Sequence, residues 1–121
     1  MEVLTKVVIG IVALEHLYIL WIEMFAWETK GKETFKSLPK HLFKDTKGLA
    51  ANQGLYNGFL AAGLIWSLLI SDVTWQHHIA LFFLGCVVIA AVYGAISAEK
   101  SIFFKQGLPA LIGLVLVLLS K

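Results

Sequence analysis

Three ionisable side chains, Glu15, His16 and Glu23, lie inside the first apolar segment of the chain, residues 3–27. A helix over this segment would be about 37 Å long at roughly 1.5 Å per residue, enough to cross a hydrocarbon core of about 30 Å. An ionised carboxylate at mid-membrane costs roughly 2.5–3.5 kcal/mol. These groups therefore need partners, water or a ligand, and they could exchange protons, act as an acid–base pair or recognise a polar group.

The helical positions of these residues indicate how they face one another. At 100° per residue, His16 and Glu23 lie about 20° apart and Trp27 shares their face, whereas Glu15 lies about 80° from Glu23. Along the axis, His16 and Glu23 are about 10 Å apart, which is too far for direct contact. We therefore expect an amide, ordered water or a ligand between them.

Further polar side chains follow in the later apolar segments. Amides and a tyrosine occupy a sector of about 140° at the start of the second segment, Tyr93 lies near the end of the third segment, and Gln106 opens the fourth. We predict that the first two helices face each other and enclose a pocket that is open to the cytoplasm or the inner leaflet. The predicted ligand-binding residues are Glu15, His16, Glu23, Trp27, Asn52, Gln53, Tyr56, Asn57, Tyr93 and Gln106.

A purely structural role for these residues is an open alternative. Asn and Gln can join membrane helices by hydrogen bonds worth on the order of 1 kcal/mol each, and tyrosine can anchor a helix at the interface. For the amides and tyrosines the two interpretations stay equally open. For Glu15 and Glu23 we favour function, because intramembrane acids are costly where apolar residues would pack.

The composition indicates an all-α, polytopic membrane protein. Apolar residues make up 59% of the chain, charged residues 15%, and the mean hydropathy is +0.81, whereas soluble domains are roughly 45–50% apolar. The net charge of +2 is too small to indicate a nucleic-acid partner. The adjacent His77 and His78 point about 100° apart on a helix, so we predict no metal site. No particular cofactor is indicated.

Four apolar segments, residues 3–27, 49–70, 78–98 and 102–120, each approach the length needed to span a bilayer. They predict a single membrane domain, residues 1–121, that forms a compact bundle of four transmembrane helices. The polar connection between the first two segments contains either a short interfacial helix or an irregular linker.

The lysines predict the orientation of the bundle. Eight of the ten fall in the first and third connections, and the positive-inside rule places such connections in the cytoplasm. Both termini are then expected outside a bacterial cytoplasmic membrane.

Several runs of this sequence resemble a known family. The runs Leu14-Glu15-His16 and Glu23-Met24-Phe25-Ala26-Trp27, the string Asn52-Gln53-Gly54-Leu55-Tyr56-Asn57-Gly58, and the runs Phe83-Leu84-Gly85-Cys86 and Gln106-Gly107-Leu108-Pro109-Ala110 are similar to domain-of-unknown-function family 1304. This resemblance covers nearly the whole chain. It implies a small bacterial membrane protein with four spans, and it implies no activity.

Three functions compete on the residues alone. The first, which we favour, is binding or carriage of a small amphiphile such as a membrane lipid, an isoprenoid or a quinone. The second is a proton-coupled transporter of cationic or amphiphilic compounds that uses Glu15. The third is a membrane-embedded isomerase in which His16 works with Glu15 or Glu23. Whether the protein is an enzyme, and whether it forms a homodimer, stays undecided at this level.

Overall fold

The computed structural model describes residues 1–120, which form an all-α fold that is 82% helical. The all-α prediction is confirmed, since the described residues contain no strand. The elements are α1 (Val3–Phe25), α2 (Lys30–Thr34), a 3-10 turn (Lys40–Leu42), α3 (Lys47–Leu69), α4 (Val73–Ser97), a π-helical turn (Phe103–Gly107) and α5 (Leu108–Leu119).

Helix α4 begins before the apolar segment that predicted it. The predicted segment starts at residue 78, whereas the helix starts at Val73, directly after Asp72. The Asp72 carboxylate accepts a hydrogen bond from the Trp75 N–H at 3.0 Å and so caps the first turn. Hydropathy marks the apolar part of a helix, while the cap marks its first residue.

The last helix begins with the π-helical turn Phe103–Gly107, which runs directly into α5. A π-turn contains one more residue per hydrogen-bonded ring than an α-turn and therefore rotates the residues that precede it relative to α5. Gly107 is buried here against α4, and a Cβ atom on it would lie 2.9 Å from the Cβ of Ala91. Pro109 lies in the first turn of α5, and because it has no N–H it donates to no carbonyl of the preceding π-helical turn.

The connection between α1 and α3 folds back onto the end of the bundle. Trp27 packs against Phe35 and Phe43, with ring centroids 5.3 and 4.7 Å away, and its Nε1 donates to Thr46 Oγ1 at 3.0 Å. Phe43 is fully buried. The connection therefore contains two short helical pieces, α2 and the 3-10 turn, which an aromatic cluster holds in place.

The four long helices pack around one apolar core, which includes Ile9 and Val12 of α1, Leu64 of α3, Leu84 of α4 and Val117 of α5. Small residues at the helix contacts let the backbones approach. The regular spacing of Ala90, Gly94 and Ala98 also predicts a packing stripe on α4, and that prediction is wrong in part. Ala90 and Ala98 are exposed, whereas Ala80 and Ala91 are buried.

Two of the described helices, α1 and α4, are long and apolar enough to cross a membrane by length and composition. Helix α3 has 23 residues, as α1 does, but amides in its first turns lower its hydropathy. The last helix, Phe103–Leu119, is apolar and shorter. The fold thus agrees with association with a membrane through two strongly apolar helices and a shorter one.

Gly54 lies at a close contact between α1 and α3. A Cβ atom on Gly54 would lie 2.7 Å from Met24 Cγ, 3.1 Å from Glu23 Cβ and 3.2 Å from the Leu20 carbonyl oxygen. The last two atoms cannot move unless α1 moves. We expect Gly54→Leu to lower the free energy of unfolding by about 1–3 kcal/mol, as overpacking does.

The matched control is Gly85→Leu on α4, because a Cβ atom there meets nothing within 4 Å. This change should leave stability equal or raise it by up to about 1 kcal/mol, since leucine is the better helix former. Thermal unfolding in detergent measures both variants. Equal stability of the two variants would contradict the close packing at Gly54.

Candidate functional site

The face between α1 and α3, where the sequence predicts a pocket, is closed by direct contact. Asn57 Nδ2 donates to Glu23 Oε1 at 2.6 Å, and Glu23 is only 8% exposed. Gly54 lies one turn away and brings the two backbones together. Asn57 is thus an amide partner of Glu23, whereas the hydrogen bond of His16 goes to Val12 and not to this amide.

His16 lies in the packed interior of the bundle and is 1% exposed. Its Nδ1 lies 2.8 Å from the carbonyl oxygen of Val12, one turn earlier in the same helix. A carbonyl only accepts, so Nδ1 carries the proton, and Nε2 of the neutral ring is an acceptor. This hydrogen bond gives Nδ1 of the imidazole a partner within α1.

Glu15 lines a partly open cavity of about 240 Å³, to which α3 contributes no residue. Its Oε1 is buried and has no hydrogen-bond partner among the described residues. A buried acceptor without a partner costs on the order of 1–3 kcal/mol, and native proteins keep few such groups. Glu15 is therefore the side chain of this region whose burial most needs an explanation.

The walls of the cavity are largely apolar and come from three parts of the chain. They belong to α1, to the segment after α2 and to the start of the last helix. The residues with apolar contact surface are Tyr18, Ile19, Ile22, Phe35 and Ile102.

Polar groups line the remainder of the cavity. They lie on α1, at the end of α2, between α4 and the last helix, and on the π-helical turn. These residues are Glu15, Thr34, Glu99, Ser101, Lys105 and Gln106. π-Helical insertions frequently occur at functional sites, and this one contributes Lys105 and Gln106 to the wall.

Glu99, in the third connection, is hydrogen-bonded to the first connection beside the cavity. Its carboxylate accepts from the Ser37 N–H at 2.7 Å and from the Ser101 hydroxyl at 2.9 Å. These hydrogen bonds from Ser37 and Ser101, helped by the positive charge of Lys105, lower the pKa of Glu99 from its ordinary value of 4.5. We call this arrangement the Glu99 clasp, and it ties residue 37 of the first connection to the start of the last helix.

The ten predicted residues separate into five groups in the structure. Glu15 and Gln106 line the cavity, Glu23 pairs with Asn57, His16 lies in the core, and Trp27 belongs to the aromatic cluster. The other four are exposed on the surface of the chain, namely Asn52, Gln53, Tyr56 and Tyr93.

Sequence reasoning missed most of the cavity wall. Glu15, Tyr18, Ile19 and Ile22 follow the spacing of one helix face, so the wall on α1 carries a readable signal. Phe35, which lies in the connection, reaches the cavity only because of tertiary folding. Among residues 1–120, no three His, Cys, Asp or Glu side chains lie close enough together to hold a metal ion.

The fold and this site together describe a small helical protein with two strongly apolar helices and a cavity beside α1. The family DUF1304, described as protein of unknown function, matches residues 10–118, and the chain belongs to this family. It is 32% identical over 117 residues to a protein named uncharacterized protein YpaA from Lactococcus lactis subsp. lactis (strain IL1403), covering 95% of this chain and 97% of that protein. No solved structure matches the chain.

The Glu99 clasp predicts a pH-dependent protection of one backbone amide. Because the pKa of folded Glu99 is lowered, the clasp is fully present above the ordinary pKa of 4.5 and is lost as the pH falls through the lower, folded value. We expect the hydrogen-exchange protection factor of the Ser37 amide to be higher at about pH 6 than at about pH 3.

Glu99→Ala should abolish this pH dependence, while Glu28→Ala, a change at an exposed acid of the same connection, should preserve it. Protection factors are normalised to the intrinsic exchange rate at each pH. An equally protected Ser37 amide in the Glu99→Ala variant would show that the clasp does not hold the connection.

Proposed function

We propose that the protein is an integral membrane protein whose four long helices cross a bacterial cytoplasmic membrane and whose cavity beside α1 binds a small amphiphile. The observation that carries this proposal is a cavity with apolar walls and a few polar groups, located in a bundle that exposes apolar side chains. Ligand sites have this mixed lining, in which apolar surface supplies affinity and a few polar groups orient the ligand.

The exposed surface supports the membrane part of the proposal. In the most apolar 18-residue stretch of each helix, only 33% of the residues of α1 and 28% of those of α4 are buried. Core helices of soluble proteins, in contrast, are mostly buried. Leu14, Ile89 and Ile96 are 66%, 72% and 80% exposed. Soluble monomers rarely expose apolar surface of this extent, so lipid is the natural solvent for these faces.

The two remaining long helices, α3 and the last helix, are compatible with crossing a membrane. Phe103–Leu119 is close to the lower limit of about 17 residues for a transmembrane helix. The exposed amides of α3, Asn52 and Gln53, lie in its first two turns. There they would meet headgroups and water rather than hydrocarbon.

The contacts between connections support the proposed orientation. The bond between Ser37 and Glu99 holds the first and third connections at one end of the bundle, and these connections carry most of the lysines. A wide depression on the first connection is lined by Lys30, Lys32, Lys36 and Lys40. The positive-inside rule assigns this end to the cytoplasm and both termini to the outside.

Cysteine labelling from outside the cell tests this orientation. In a Cys86→Ala background, we expect a membrane-impermeant maleimide to label Glu2→Cys and Ser71→Cys and to leave Ser37→Cys and Lys100→Cys unlabelled. All four positions are exposed in the structure, so accessibility depends on the side of the membrane. The reverse pattern would invert the proposed orientation, and labelling of all four would contradict a single fixed one.

The cavity volume limits what can bind. An apolar cavity of about 150 Å³ holds benzene, so 240 Å³ corresponds to about ten non-hydrogen atoms. The cavity therefore accepts a headgroup, a ring or a short chain rather than a complete lipid. The tail of a larger amphiphile would leave through the open side toward the bilayer.

Blocking the cavity tests the binding function. In Ile102→Trp the indole would occupy the cavity, because Ile102 lines it. The matched change Ile112→Trp lies on an exposed position of α5. Native mass spectrometry of gently purified protein should detect a small co-purifying species in the wild type and in Ile112→Trp.

In Ile102→Trp the occupancy of that species should fall at least about tenfold, the equivalent of about 1.4 kcal/mol. Thermal unfolding establishes that both variants are folded. Equal occupancy in both variants would contradict binding in this cavity, and equal loss in both would indicate lipid held at the outer surface.

The partnerless Glu15 oxygen also favours a second candidate, the proton-coupled transporter, because an intramembrane carboxylate is the usual group for proton exchange. The isomerase alternative has less support. His16 is buried against Val12 and does not line the cavity, so no imidazole is available beside Glu15 for acid–base work.

A further inference from the structure

We infer that the cavity selects a monocationic ligand, a protonated amine on a compact apolar body, and that Glu15 is the residue that recognises the ammonium group. This inference rests on the proposed function, since it names the class of amphiphile that the cavity beside α1 takes.

The first step is the hydrogen-bonding capacity of Glu15. A carboxylate oxygen accepts hydrogen bonds and cannot donate them when ionised, and Oε1 of Glu15 is buried without a donor. Gln106 lines the same cavity and does not donate to this oxygen. While Glu15 is ionised, a ligand that satisfies Oε1 must therefore bring an N–H or O–H group. This requirement excludes carboxylates, and it excludes oxidised quinones, whose carbonyl groups only accept.

The second step is the charge of the cavity. The titratable groups that face it are Glu15, Tyr18, Glu99 and Lys105. Glu99 is already compensated by two hydrogen bonds and by the positive charge of Lys105. The remaining uncompensated group is the carboxylate of Glu15, so one positive charge on the ligand makes the filled cavity neutral. Buried charges are tolerated when they are paired, and this condition favours an amine over an alcohol.

The third step is the position of Glu15 relative to the apolar walls. Glu15 and Ile22 are aligned on one face of α1 and lie about 10 Å apart along the axis. Ile22 lies near the end of α1 and Phe35 lies in the first connection, at the end of the bundle where Glu99 and Ser101 also line the cavity. An ammonium group at Glu15 would therefore leave the apolar body of the ligand beside Ile19 and Ile22.

Three matched probes test the inference: phenethylamine, phenethyl alcohol and phenylacetate, which share a phenyl ring, stay within the limit of about ten non-hydrogen atoms and differ in the charge of the polar end. Their affinities are measured by calorimetry with the full chain in lipid nanodiscs, and empty nanodiscs correct for partition into lipid. We expect the amine to bind about ten- to a hundredfold more tightly than the alcohol, the range for a hydrogen bond to a charged group, and the anion not to bind.

Two substitutions on α1 assign this preference to one carboxylate. Glu15→Gln keeps the shape and removes the charge, so the amine should lose its advantage over the alcohol. Glu23→Gln makes the same change two turns away, at a side chain that contacts Asn57, and should leave the advantage intact.

Each outcome separates this inference from the proposed function. Equal binding of amine and alcohol, with both abolished by Ile102→Trp, would overturn the cation selectivity and leave the amphiphile cavity standing. Binding that Ile102→Trp does not affect would overturn the cavity itself. Absence of saturable amine binding, or an amine preference that survives Glu15→Gln, would overturn the assignment of Glu15.

Discussion

The close contact between α1 and α3 determines the direction of every functional side chain on α1. Gly54 provides the space for this contact, and the bond between Asn57 and Glu23 fixes the rotation of α1 about its own axis. Once Glu23 faces α3, helical geometry places Glu15 about 80° away around the axis. That direction leads to the cavity, with Ile19 and Ile22 beside it. A side chain on Gly54 would separate the two helices and release this rotation.

Two glutamates on one helix thereby acquire different surroundings. Glu23 has an amide donor, so its burial is compensated locally, as expected for a polar contact between packed helices. Glu15 has a buried oxygen with no donor, a condition that proteins tolerate where something other than the chain completes the site. The difference lies in the neighbours that tertiary structure provides and not in the residue type. This contrast is the reason for assigning ligand recognition to Glu15 alone.

The first connection belongs to the site as much as the helices do. The cluster of Trp27, Phe35 and Phe43 packs the connection on itself, and the Glu99 clasp ties it to the start of the last helix. Phe35 then forms part of the cavity wall. A segment that composition alone describes as a lysine-rich linker thus supplies apolar surface to the wall of the cavity.

Local pattern determined the helical class and the approximate position of the four long helices, because apolar content and periodicity depend only on residues close in the chain. It also singled out Glu15 and Glu23 together, since an acid within an apolar segment is costly in any fold of that segment. Family membership was likewise readable, from the Asn52–Gly58 string and its companions, and the family match confirms it.

Tertiary structure decided which polar groups meet. A sequence specifies the angle of a residue on its own helix, whereas the rotation of that helix against its neighbours depends on long-range packing. For this reason Asn57 reaches Glu23 while Asn52 and Gln53 remain at the surface. The π-helical turn adds a local departure from regular geometry that no periodicity signals. It is this turn, packed through Gly107 against Ala91, that carries Gln106 to the same cavity as Glu15.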